Sequence, residues 1–148
     1  MSTVNQTTNT GQQAITNYDL SKIFLLNNRY ATGTYTNSSG GSVTIVAGTV
    51  IGRISASGLL LPLVAAASDN SQFPVGISAS AVTVANGASV TLTYCIAGDV
   101  AEEAVVFQNG TDTLNTVVSG RRLRDRIAAD TVGIILKFSN DLTAFDNQ

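Results

Sequence analysis

The chain has 148 residues, 44% of them hydrophobic and only 12% charged, with eight Lys and Arg against ten Asp and Glu, one Cys and no His or Trp. That length lets one domain bury roughly two-thirds of the surface its unfolded form exposes, with no need of a metal or disulfide. A net charge of −2 argues against a general nucleic-acid binder, which carries a basic excess to release phosphate counterions, and the missing histidine removes the commonest general base and metal ligand.

Residues 1–17, MSTVNQTTNTGQQAITN, are almost all Ser, Thr, Asn, Gln and Gly. Too few apolar side chains are present to offset the entropy lost on ordering, so this stretch reads as an N-terminal arm. It is either a disordered tail or an extended segment that orders by adding a strand to a partner's sheet edge, with Val4, Ala14 and Ile15 as anchors in the second case. The arm contains no Lys or Arg and no continuous apolar run, so it does not read as a secretory signal. No window approaches the roughly 20 apolar residues of a membrane span. The expectation is a soluble product of the cytosol with no membrane partner.

Residues 18–148 are expected to form a single mainly-β domain. Ile23, Phe24, Leu25 and Leu26 make the first apolar run, followed by a flexible loop at NSSGG. From Ser42 to Gly98 short β-branched stretches alternate with turn signals. SVTIVAGTVIGRIS leads to a turn at ASG, LLLPLV to a loop at AAASDNSQF, and PVGISASAVTV to a turn at ANG. Strands at this spacing with Gly and Asn-Gly turns predict an all-β barrel or sandwich. In ASVTLTYCIAGDV the alternation is nearly faultless: Val90, Leu92, Tyr94 and Ile96 fall on one side, Thr91, Thr93, Cys95 and Ala97 on the other, as a half-buried strand requires.

Past Asp99 the pattern predicts a strand at Val105 to Phe107 and a loop around Asn109 and Gly110. One helix is expected, over SGRRLRDRIAAD, with Ser119 as cap, Leu123 and Ile127 on one face, and ion pairs Arg121–Asp125 and Arg126–Asp130 at helical spacing. VGIILKF reads as a closing strand and SNDLTAFDNQ as a polar tail.

Candidates for chemistry are few. Cys95 has no partner for a bridge or a CxxC pattern and sits within a strand, so it reads as a packed thiol. Glu102 and Glu103 are adjacent and point to opposite faces of a strand, poor geometry for paired carboxylates. Asp69 and Asp99 read as turn formers. The glycines of AGTVIGR match no phosphate-binding pattern. No metal, cofactor or enzyme activity is expected. Arg121, Arg122, Arg124 and Arg126 form the densest charge, read as a solvated helix face or as an arginine contact to an acidic protein surface. Without interleaved aromatics, specific nucleic-acid binding is not expected.

The segments VAGTVIGRISASGLLLPL, PVGISASAV and YCIAGDV together resemble lambda-type phage head decoration proteins, over roughly residues 43 to 108. The resemblance implies a small β-tulip or barrel-like domain that forms homotrimers on the outer surface of an expanded capsid and cements neighbouring capsomers against the pressure of packaged DNA. It implies synthesis in the host cytoplasm and a place in the virion. The partner would be the major capsid protein, met by the extended N-terminal segment, which here runs from Met1 to Leu20 and adds Tyr18 and Leu20 to the anchors. The arginine-rich stretch matches no family motif. The main alternative is a fibre-associated or receptor-binding adhesive β domain, for which Tyr30 and Tyr35 beside ATG are the residues to watch; a small enzyme is third.

Overall fold

Two long strands organise the chain. β1 (Phe24–Thr36) and β7 (Ser89–Ala101) run antiparallel from the Phe24–Val100 pair to the Thr36–Ser89 pair. The computed structural model describes residues 23–138; the expected arm, Val4, Ala14, Ile15, Tyr18 and Leu20, and the polar tail lie outside the described residues.

The other strands follow the turn signals. β2 (Val43–Ile45), β3 (Val50–Arg53), β4 (Leu60–Pro62), β5 (Pro74–Ser78) and β6 (Val82–Val84) are short and separated by the expected turns. β1, β4, β3, β5 and β7 follow one another in one sheet, and the β1–β7 pairing closes it into a five-stranded barrel. Closure gives each of these five strands a neighbour on both sides, with β1 meeting β4 only through the Tyr35–Leu60 pair. β2 and β6 form a separate two-stranded sheet, tied across by Thr44 Oγ1 and Thr83 Oγ1 at 2.8 Å.

The core has two parts. Tyr35, Ile45, Ile51, Leu60, Val84, Leu92 and Tyr94 form one cluster; Val50, Leu63, Ile77, Cys95, Val100 and others form the second. Neighbours in sequence, Val50 and Ile51, or Tyr94 and Cys95, fall in different clusters, because successive side chains point to opposite faces. The expected alternation of β7 therefore holds, yet both faces of its middle are buried. Beyond Ala97 a bulge interrupts the period. Gly98 has φ +111° and Asn27 opposite has φ 54°, and the β1–β7 register shifts between Phe24 and Tyr30. After the bulge Val100 joins the cluster of Cys95.

The C-terminal part departs from expectation in four places. Val105 to Phe107 is not a strand; it contributes a single bridge, Thr49 to Val106. Glu102 and Glu103 lie in a 3-10 turn, Glu102–Ala104, rather than on a strand. Asp99 is a strand residue whose carboxylate meets Lys137 Nζ at 2.9 Å, so it is not a turn former. Asp69 is one: its Oδ1 accepts from the backbone N of Ser71 at 3.0 Å and from Ser71 Oγ at 2.5 Å, and the Ser71 side-chain hydrogen bond, first among the causes, holds the carboxyl below its ordinary range.

The fourth difference is the helix start. Val117–Val118 (β8) and Arg121–Arg122 (β9) form a hairpin whose turn, Ser119 and Gly120, has φ 47° and 78°. Two left-handed residues in a two-residue turn match the twist of the flanking strands, a local demand that overrides helix propensity. The helix α1 is therefore Leu123–Asp130, Ser119 does not cap it, and Arg121 lies outside it, which removes the Arg121–Asp125 pairing. Leu123 and Ile127 are fully buried as expected, and Arg126 Nη1 meets Asp130 Oδ2 at 3.0 Å. β10 (Gly133–Lys137) closes the chain, parallel to β7 from Ala97 to Ala101.

Candidate interaction surface

Ile23, the first described residue, fixes where the N-terminal segment enters the fold. Its carbonyl accepts a hydrogen bond of 2.7 Å from the Ala101 backbone N, and its side chain packs against the second core cluster. Lys137 of β10 pairs with Ala101 from the other side. The described chain therefore begins, at Ile23, beside the end of β7, and ends, at Phe138, just past the strand next to it.

The same end carries charge held in place. Glu102 is 8% exposed, and burying a lone carboxylate is costly unless it is paired and hydrogen-bonded. Arg124 supplies the pair: Nη1 donates to Oε2 at 2.8 Å and Nη2 donates to Oε1. The pair borders an open cleft of about 500 Å³, also lined by Phe107, Asp112 and Asn115. Asp112 Oδ2 is already engaged, accepting from Ala65 N at 2.8 Å and Asn109 Nδ2 at 2.6 Å. Among the described residues no group of three or more His, Cys, Asp or Glu is placed to hold a metal ion, and no helix is long and apolar enough to cross a membrane.

The four arginines do not act as one face. Arg121 and Arg122 project from β9 and are exposed. Arg124 is tied to Glu102. Arg126 lies over the Phe73 ring at 4.7 Å and donates through Nε to the Val118 carbonyl at 2.7 Å and through Nη2 to the Ser119 carbonyl at 3.2 Å. Arg126 thus anchors the hairpin turn to the helix. Only Arg121 and Arg122 of the four are left facing solvent on a strand.

Tyr30 and Tyr35 both lie on β1, not in a loop. Tyr35 is 5% exposed and belongs to the core; Tyr30 is 42% exposed and packs edge-on against Phe24, centroids 5.7 Å apart. A ring buried in the core offers no platform for a sugar, so only Tyr30 of the two remains available.

Cys95 is buried and free. Its Sγ donates to the Ala97 carbonyl at 3.2 Å, and burial pushes the thiol up from its ordinary value. The thiolate is the reactive form. The native protein is therefore expected to consume no thiol-specific chromogenic reagent over an hour at pH 8, and one equivalent once guanidinium unfolds it. Rapid native labelling at one equivalent would contradict the burial.

Exposed apolar residues escaped the reading of the sequence. Leu26 on β1 and Ile135 on β10 both pair with Asp99 of β7, from opposite sides, so the three share one face. Leu26 is 59% and Ile135 53% exposed. Each sits in an apolar run, where nothing in the pattern separates inward from outward positions.

A family model described as bacteriophage lambda head decoration protein D matches residues 6–123. No curated protein matches the chain.

Proposed function

The chain belongs to the bacteriophage lambda head decoration protein D family, a structural family of the phage capsid, and we propose that it binds the outer surface of the expanded shell as a homotrimer and cements neighbouring capsomers. The observation that carries this reading is the family match, which spans most of the chain and includes every strand from β1 to β9, the five of the barrel among them. The partner is the major capsid protein. Residues 1–17 serve as the docking arm on a single domain of residues 18–148, with Val4, Ala14, Ile15, Tyr18 and Leu20 as its apolar anchors.

Physical considerations support it. Holding a shell together takes no catalytic group; it takes a stiff body and a segment able to pair with a sheet edge. The closed barrel supplies the first, and the join at Ile23 and Ala101 supplies a fixed root for the second. Three arms on one trimer raise apparent affinity by about 10²- to 10⁴-fold over one arm when their spacing matches the lattice. Arg121 and Arg122, exposed beside the turn, are assigned a contact with acidic capsid surface; Arg124 and Arg126 position this hairpin and helix.

Co-sedimentation with expanded and unexpanded empty shells tests the proposal, using the full chain and a version lacking residues 1–17. Binding of the full chain to expanded shells alone, lost with the arm, is the expected result. If the full chain binds neither shell, the cementing role is wrong for that capsid and the adhesive-domain reading takes its place. If the shortened chain binds as well as the full one, the arm is not the docking element.

A further inference from the structure

Asn-Gly occurs twice in the chain, at 86–87 and 109–110. An asparagine in this pair readily loses its side-chain amide, because glycine has no side chain to hinder attack by its own backbone N on the asparagine Cγ. Both asparagines are exposed, and a Cβ on either glycine would meet nothing within 4 Å. What separates the two is the partner of each glycine N–H. Gly87 N donates to the Asn37 carbonyl at 2.7 Å, Asn37 N donates in return to the Ala88 carbonyl at 3.0 Å, and Asn37 is fully buried. Freeing Gly87 therefore means separating the start of β7 from the loop after β1. Gly110 N donates to the Phe107 carbonyl at 3.1 Å, three residues back in the same surface loop. A local opening of that turn is enough to free it, and local openings cost far less than global ones.

We propose that Asn109 is a site of spontaneous deamidation, a modification that unlocks the loop of residues 107–112. Gly110 N gives its proton to solvent, and its electron pair forms the N–Cγ bond of a cyclic imide. The Cγ–Nδ2 bond breaks, and the nitrogen leaves as ammonia after taking a proton from water. A second water opens the ring at either carbonyl, leaving isoaspartate or aspartate. The loop assists the first step: Asn109 Oδ1 accepts from Thr111 N at 3.2 Å and Asp112 N at 3.1 Å, so two fixed donors face the oxygen on which negative charge gathers. Asn86 Oδ1 is instead held by a donor outside its own turn, Gly40 N at 3.0 Å. The product then breaks a contact. Asn109 Nδ2 donates at 2.6 Å to Asp112 Oδ2, the same oxygen that accepts from Ala65 N at 2.8 Å. A carboxylate in place of the amide sets two negative groups against each other, and Asp112 gives up Ala65. Asn109 lines an apolar cleft with Tyr35, Leu61 and Val64, while Asp112 lines the larger one at Glu102 and Arg124, so the new charge reshapes the surface between them. The assignment holds whatever partner the protein binds.

Peptide mapping with an isoaspartate methyltransferase label reads the reaction in the full-length protein kept at pH 8, either folded or unfolded in guanidinium. In the folded protein, label at residue 109 is expected to build up at least about tenfold faster than at residue 86, and in guanidinium the two sites are expected to react at similar rates. Equal rates at the two sites in the folded protein overturn the proposal, as does an Asn109 that stays intact when folded yet reacts when unfolded. Asn109→Asp supplies the product charge directly. In this variant the Ala65 amide is expected to exchange about tenfold faster than in the parent, while the amides of β1 and β7 keep their protection. Ala65 exchange that the substitution leaves unchanged overturns the proposal too.

Discussion

Gly52→Ala is expected to cost about 3 to 5 kcal/mol, enough to consume most of the stability of a domain this size. A Cβ built on Gly52 lies 1.8 Å from the Ser71 carbonyl oxygen and 2.7 Å from its carbon. Both are backbone atoms, so no side-chain rotation relieves the overlap. Nor is the 69–71 segment free to retreat: Asp69 Oδ1 holds Ser71, and the Asp69 carbonyl accepts from Ser55 N at 3.1 Å. The clash sits where the β3–β5 register shifts, between the Ile51–Gly76 and Gly52–Pro74 pairs, so relief requires opening the barrel there. Gly41→Ala, where a Cβ meets nothing within 4 Å, is the control and is expected to change stability by less than about 1 kcal/mol. Guanidinium unfolding at one fixed protein concentration reads both; equal midpoints for the two variants would show that β3 does not depend on this close approach.

The second large effect belongs to Asn37, a fully buried amide. Its Nδ2 donates to the Gly41 carbonyl at 2.7 Å and the Val84 carbonyl at 2.8 Å, and its Oδ1 accepts from Ser39 N at 3.0 Å. One side chain thereby fastens the loop after β1 to the end of β6. Asn37→Leu removes these bonds and leaves the Gly41 carbonyl with only Ser39 Oγ at 3.1 Å; an unsatisfied buried group costs about 1 to 3 kcal/mol, and a total loss of about 3 kcal/mol is expected. Asn37→Asp keeps the shape but turns a donor into an acceptor facing two carbonyls. Ionisation is then disfavoured in the fold, so the folded pKa of the new carboxyl lies above its unfolded value of about 3.9. The folded state holds the proton longer than the unfolded one, and stability falls as pH rises above about 4 until the folded group has ionised. Thermal melts of the variant from pH 4 to pH 8 are expected to show a decline that the parent protein lacks. A flat profile would mean that the site rearranges to admit the charge.

Legibility tracked how local the cause was. The strands from β2 to β7 were readable because Gly and Asn-Gly turns punctuate β-branched runs, and each turn acts over only a few residues. β1 was harder to see past Leu26. NNRYATGTYT carries Asn and Gly that discourage a strand by themselves; it becomes one because the whole of β7 lies alongside it. The helix α1 starts later than its sequence pattern predicts, for a related reason. Arg121 and Arg122 have good helix propensity, but their pairing with Val117 and Val118 across a left-handed Ser119–Gly120 turn claims them for a hairpin. The arginines, read as one charged face, separate into a salt-bridged Arg124, an Arg126 stacked on Phe73, and two exposed residues. No spacing in the sequence announces that Phe73, fifty-three residues earlier, will lie beneath Arg126.

By itself, then, the sequence determined the class of the fold, the placement of most turns, the buried thiol and the family, because period-two patterning, turn chemistry and short motifs are written in neighbouring residues. Only the tertiary structure decided that five strands close while a sixth, among the described strands, pairs with β7 alone, that Glu102 is buried against Arg124, and that Leu26 and Ile135 flank Asp99 on one exposed face. These depend on residues brought together across long stretches of chain, where burial of one surface on another, and not any local preference, selects the partner.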